Sequence, residues 1–154
     1  MERTLVLIKP DALQRGLVGE MVTRLERKGL KIAAVKMFSF EDKVLEEHYA
    51  HLKDKPFFPR IREFMKSTPL LAMVLEGKDA VEVVRRLAGP TNGREAPAGT
   101  IRGDYAVSIQ CNLVHASDSK EAAETEITRF FKPAEIFNWN AALMDNRYAN
   151  EEKG

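Results

Sequence analysis

With 154 residues, 44% of them hydrophobic, the chain has the length of one domain and is too apolar to be disordered. Its 24 Lys and Arg against 23 Asp and Glu leave a formal charge of +1, which excludes a sequence-blind coat for DNA or RNA. The longest apolar run, Leu70 to Leu75, is far short of the roughly 20 residues that span a bilayer, so no membrane role is expected. Cys111 is the lone cysteine and Met1 to Thr4 carry no signal-like apolar region, so a reducing cytoplasm is the expected location.

Thr4 to Lys9 reads as a buried strand halted by Pro10-Asp11. Leu17, Val18, Met21, Val22 and Leu25 then recur at helical spacing, and Gly29 stands where a helix ends. Leu30 to Phe40 is rich in β-branched and apolar residues and predicts a second strand. Glu41 to Leu52 and Phe57 to Lys66 predict two helices separated by Pro56, and Pro69 to Leu75 a third strand. Ala80, Val81, Val84 and Leu87 mark another amphipathic helix, ended by Gly89-Pro90. Leu113 to Ala116 predicts a short fourth strand and Ser119 to Phe131 a last helix.

Between Gly89 and about Asp104 lie four glycines and two prolines with no helical or strand period. Loops longer than about 12–15 residues are uncommon in compact domains unless they are functional or disordered. Alternating strands and helices fit a parallel α/β sheet, and four strands fit an antiparallel split βαβ arrangement equally well.

No phosphate loop, dinucleotide fingerprint, H-E-x-x-H or C-x-x-C motif is present. His48 and His51 could grip a metal from one helix, but no third ligand is placed to complete the site, so they are expected to face solvent. The informative segment is Asn112-Leu113-Val114-His115-Ala116-Ser117-Asp118-Ser119. Ser117-Asp118-Ser119 suits a helix start, with Asp118 and Glu121 at capping-box spacing. That leaves His115, at a strand end, without an account. On the following helix Ala123, Ile127 and Phe130 form the buried stripe, and Glu126 borders it almost in line with Ser119. Helical side chains lean toward the N-terminus, so this carboxylate points back toward Ser119 and could reach His115 as the partner of a nucleophilic imidazole, but the residues alone favour an ordinary surface acid. Lys9, Arg85, Arg86, Arg94 and Arg102 sit at element ends or in the long loop. Three or four of them in one cleft would make a polyphosphate clamp.

The His115 segment closely resembles the active-site signature of nucleoside diphosphate kinases. Lys9-Pro10-Asp11, Gln14-Arg15-Gly16-Leu17-Val18-Gly19-Glu20, His48-Tyr49, Lys55-Pro56-Phe57-Phe58 and Gly99-Thr100-Ile101-Arg102-Gly103-Asp104 are similar to that family in the same order, so the likeness runs from Glu2 to about Phe131. It implies one α+β domain over residues 1–154: a ferredoxin-like βαββαβ antiparallel sheet with helices on one face. The Glu41 to Lys66 helix pair becomes an insertion, and the nucleotide lies between it and the long loop.

The implied activity is ping-pong transfer of a γ-phosphoryl group from ATP or another nucleoside triphosphate to a nucleoside diphosphate, through phosphorylated His115, for NTP and dNTP synthesis. An unprotonated imidazole is needed, and an unperturbed histidine with a pKa of about 6.5 supplies it near neutral pH. By resemblance, Lys9, Arg85, Thr91, Arg102 and Asn112 bind phosphates and ribose. Tyr49 lies beside the histidine, Glu126 orients it and Ser117 supports the pair. Phe57, Ile61 and Ile109 form the base pocket, with Phe57 stacking on the base. Mg2+ travels with the phosphates, touched through water by Asp118. A homo-oligomer is implied, a hexamer before a tetramer. Ala12, Gly93 and Gln110-Cys111 depart from the usual pattern, and residues 136–154 have no clear counterpart. The alternative reading is a non-catalytic nucleotide- or RNA-binding module on the same scaffold.

Overall fold

Strand β1 (Glu2–Ile8) is buried from Thr4 to Ile8 because it is central in a four-stranded sheet covered on both faces. The structure, a computed structural model, describes residues 1–142 and 146–153. The other strands are β2 (Lys31–Phe38), β3 (Leu70–Gly77) and β4 (Val114–Ala116). Their order is β2-β3-β1-β4, every ladder antiparallel, which resolves the topology that periodicity leaves open.

Alternation along β1 splits the core. Val6 and Ile8 pack with Met73 and Leu75 of β3 beneath α2 (Val18–Arg27) and α5 (Ala80–Ala88), which bury Met21, Leu25, Val84 and Ala88. The two helices of the βαββαβ repeat therefore lie on one face, as expected. The opposite face is covered too. Leu5, Leu7, Ala72 and Val74 meet α3 (Asp42–His48), α4 (Phe58–Met65) and α7 (Lys120–Phe130) through Leu45, Phe58, Met65, Ile127 and Phe130. The site lies on this second face.

Some local expectations need revision. A five-residue helix α1 (Pro10–Gln14) follows β1, started by a proline at a position where no N–H is needed. The loop after Gly89 contains helix α6 (Ile101–Tyr105), capped by Thr100, whose hydroxyl accepts from Gly103 N at 2.9 Å. So short a helix gives no readable period. Helix α3 stops at His48 and continues toward Leu52 as turns. The cap of α7 is Ser119, which accepts from Ala122 N at 3.1 Å, whereas Asp118 pairs with Arg85.

The C-terminal segment lies along the start of β2, where the ladder is irregular between Ile32 and Ala34. Phe137 N donates to Ala33 O and Trp139 Nε1 to Ile32 O, both at 2.9 Å. Farther along the same strand Val35 and Met37 are 53% and 62% exposed. Among the described residues no helix is long and apolar enough to cross a membrane.

Candidate active site

Pairing of β1 with β4 places the chemistry. His115 is opposite Leu7, and paired residues share a face, so the imidazole projects to the side where α3 and α7 pack. Lys9 follows the end of β1, and its N–H donates to Leu113 O at 2.8 Å. Leu113 has φ 75°, a left-handed conformation costly for leucine, and is held there by Asp11 Oδ2, which accepts its N–H at 3.1 Å. The turn separates Asn112, aimed at Lys9, from His115 on β4.

His115 Nε2 lies 3.0 Å from Glu126 Oε2, and Ser117 Oγ donates to the same oxygen at 2.6 Å. Burial alone would raise the Glu126 carboxyl, but the His115 and Ser117 hydrogen bonds and the charge of His115 outweigh it and hold the pKa below the ordinary range. A carboxylate accepts, so Nε2 carries the hydrogen and Nδ1 keeps its lone pair.

Three cations border the same cleft, of about 840 Å³. Lys9 is 9% exposed and donates through Nζ to Gln110 O at 2.7 Å and Asn112 Oδ1 at 2.8 Å. Burial, reinforced by Arg102, pulls its pKa down to about 8 against the opposing pull of Asp11. Arg102 uses Nε, Nη1 and Nη2 to reach Asn112 O, Gly89 O and Val114 O at 3.2, 2.7 and 2.6 Å. A guanidinium has five N–H donors, so two remain for a ligand. Burial and the nearby Arg85 push its pKa down to about 10. Arg85 closes α5 with Nη1 2.5 Å from Asp118 Oδ1. Arg86 pairs with Glu82 on its own helix and Arg94 lies outside the cleft, so neither joins the clamp.

Asn112 fastens the clamp to the loop, donating to Thr91 O at 3.0 Å and Ile109 O at 2.7 Å. Tyr49, Phe57, Ile61, Thr91 and Ile109 line the cleft, with Phe57 and Ile109 exposed. Burial, with the Glu126 charge, raises the Tyr49 phenol. Ser117 is buried behind Glu126. The structure thus brings every expected site residue into or directly behind one cleft.

His48 is where expectation fails. It is buried, its ring 4.7 Å from that of His115, and it lines the cleft, whereas His51 is exposed. The signal that could have found it is its spacing from Leu45 and Leu52, which puts it on the apolar side of its helix. Arg129, which contacts His48, and Gln110, which spans to Arg60 O at 3.4 Å, carry no motif.

Residues 2–136 match the family described as nucleoside diphosphate kinase. A nucleoside diphosphate kinase of Parabacteroides distasonis is 57% identical over 152 residues, covering 99% of both chains. One from Archaeoglobus fulgidus is 54% identical, covering 94% of this chain and 96% of its own. Among solved structures, a halophilic nucleoside diphosphate kinase from Halobacterium salinarum in complex with CDP superposes with a TM-score of 0.93 at 45% identity, covering 96% of this chain and 99% of that one. On its sequence, its fold and the length of chain these likenesses cover, the chain belongs to the nucleoside diphosphate kinase family of phosphotransferases.

Proposed function

We propose that this chain carries the family reaction on His115 by a ping-pong route. The observation that supports this best is the 3.0 Å contact of His115 Nε2 with Glu126, which leaves Nδ1 free to attack. Nδ1 attacks the γ-phosphorus of a nucleoside triphosphate such as ATP. The N–P bond forms as the bond to the β-bridging oxygen breaks, and the diphosphate leaves with that electron pair. A second nucleoside diphosphate attacks the phosphohistidine by the reverse path. Glu126 balances the positive charge that the ring gains, and Ser117 fixes the carboxylate. Lys9, Arg85 and Arg102 offset phosphate charge, since phosphoryl transfer depends on positioning and electrostatics. Asn112 and Thr91 hold the clamp near the ribose, Tyr49 flanks His115, and Phe57, Ile61 and Ile109 take the base. Stacking on Phe57 reads a π-face, which suits broad base tolerance.

The donor set fits Mg2+ that arrives on the nucleotide. Of the carboxylates lining the cleft, Glu126 is committed to His115 and Asp118 is exposed beside Arg85. Mg2+ binds through few carboxylates, substrate phosphates and water, so Asp118 would touch it at most through water. Bound there it neutralises phosphate charge. We also propose a cytoplasmic homo-oligomer, a hexamer or a tetramer. The exposed Val35 and Met37 support association, and light scattering tests its size.

Incubation with γ-labelled ATP should give an acid-labile, base-stable phosphoprotein that passes its label to GDP, and His115→Ala should abolish both. A wild-type protein that takes no label would refute the assignment.

A further inference from the structure

His48 has no part in the chemistry above, yet its setting is specific. It closes α3, is 7% exposed, and stands edge-on to His115 with ring centroids 4.7 Å apart and planes at 80°. Phe40, Tyr49 and Phe130 surround it. Its Nδ1 lies 3.1 Å from Arg129 Nη1. A guanidinium only donates, so Nδ1 must accept and the hydrogen of the neutral ring sits on Nε2. A doubly protonated ring would set two donors against each other there. Burial, with His115 and Arg129 nearby, pushes the pKa down to about 3, against the opposing pull of Glu126.

Nε2 is buried and has no hydrogen-bond partner among the described residues. One nitrogen of His48, one of His115 and a Glu126 oxygen lie within 4.8 Å of one another. With Nδ1 committed to Arg129, Nε2 is the nitrogen left to serve that trio. Nε2 bonds neither of the other two directly, so its gap lies between hydrogen-bond reach and 4.8 Å. Two bonds of about 2.8 Å meeting at one tetrahedral oxygen span about 4.6 Å, within that limit, so one bridging oxygen atom matches the separation. A metal ion fits poorly, because coordination needs a lone pair on Nε2 and Arg129 puts a hydrogen there.

Resting on His115 as the phosphoryl carrier, we propose that His48 is a positioning residue. Locked by Arg129 in its Nε2–H form, it donates to one oxygen atom that bridges it to the His115–Glu126 pair and keeps that pair in register for transfer. The oxygen belongs either to water or to the phosphoryl group on His115.

The full-length enzyme carrying His48→Phe or His48→Gln tests this. Phenylalanine keeps the ring's shape in an aromatic setting but cannot donate, and the glutamine amide can supply an N–H near the position of Nε2. His48→Phe should slow single-turnover labelling by γ-labelled ATP about 3- to 10-fold, the worth of one ordinary hydrogen bond, with nucleotide KM changed less than about twofold. His48→Gln should recover most of the rate. In the wild-type enzyme, 15N NMR should find the His48 proton on Nε2. Its resonance should move on phosphorylation if the acceptor is a phosphoryl oxygen and stay if it is water. Wild-type speed in His48→Phe, a slower His48→Gln, or a proton on Nδ1 would overturn the proposal. If His48→Phe fails to fold, Arg129→Met keeps His48 and removes the lock. Nδ1–H should then become populated and labelling slow, and an unchanged tautomer would overturn the proposal. Wild-type enzyme that takes no label refutes His115 as carrier, whereas labelled wild-type with an equally fast His48→Phe refutes only the role of His48.

Discussion

Raising the pH from about 7 to about 9 should weaken nucleotide binding about tenfold through Lys9 alone. Burial, with help from Arg102, lowers the Lys9 pKa to about 8, and among the described residues its Nζ bonds only the neutral acceptors Gln110 O and Asn112 Oδ1. In the free enzyme Lys9 is then about nine-tenths charged at pH 7 and about one-tenth charged at pH 9. A polyphosphate needs the charged form, so the apparent affinity falls with the charged fraction. Near pH 8 each nucleotide bound should draw in about half a proton. Calorimetric titration with ADP in two buffers of different ionisation heat measures both quantities, and Lys9→Met should bind weakly, without pH dependence or proton uptake. Lys9 alone sets this window, because the Arg102 guanidinium stays charged throughout it although burial and Arg85 lower its pKa. The sign for folding is opposite. The unfolded lysine holds its proton up to about 10.5 and the folded one to about 8, so stability gains as pH rises across that interval. Affinity that stays flat from pH 7 to 9 without proton uptake would refute this account of Lys9.

Glu126→Gln keeps the shape but loses the charge facing His115, so the labelling rate should fall about 100-fold in single turnovers. Because the Glu126 pKa is held below its ordinary 4.5, the carboxylate's contribution to stability is present above that value and should vanish on acidification, as melting curves of wild type and variant would show. Arg102→Met removes the donor from three backbone carbonyls, Gly89, Asn112 and Val114, and should cost about 2–3 kcal/mol in urea unfolding besides weakening nucleotide binding. Gly93→Ala would place a Cβ 2.3 Å from Ala106 O and should cost about 1–3 kcal/mol, visible as a Tm lowered by several degrees.

The sequence carries most of this architecture because its signals are periodic. The run Thr4 to Lys9, short and halted by Pro10, reads as a buried strand, and the stripes of α2 and α5 name the residues that meet it. What it does not carry is pairing. Parallel and antiparallel sheets write the same elements, and it is the β1–β4 ladder, with Leu7 opposite His115, that brings Lys9 to the histidine. Helix α6 is hidden in the long loop because five residues hold little more than one turn. His48 is misjudged for a different reason. Polar residues are usually exposed, and the partner that makes its burial tolerable, Arg129, lies 81 residues away. Glu126 is legible only in part, because helix geometry turns it back toward Ser119, but a bordering acid reads as a surface residue until the family resemblance pairs it with His115.

The near-zero overall charge conceals how the cleft stores repulsion. Arg102 lowers the pKa of Lys9, and Arg85 lowers that of Arg102, so in the free enzyme each cation is less stable for the presence of the next. Their hydrogen bonds to carbonyls and to Asp118 hold them there without neutralising the group as a whole. In the proposed binding mode a nucleotide polyphosphate relieves all three at once, so part of its binding energy is the removal of repulsion already present in the empty cleft. In the empty cleft Asp118 pairs with Arg85 from an exposed position. In the proposed reaction the imidazole stays a good nucleophile beside so much positive charge because Glu126 is its counter-ion. Glu126, anchored by Ser117, stands on the far side of the ring and offsets at His115 what the clamp imposes on the substrate. In the proposed reaction cations gather where phosphate charge is bound and the Glu126 carboxylate stands where positive charge develops, a division made by the two ends of one β1–β4 pair and the helix that follows it.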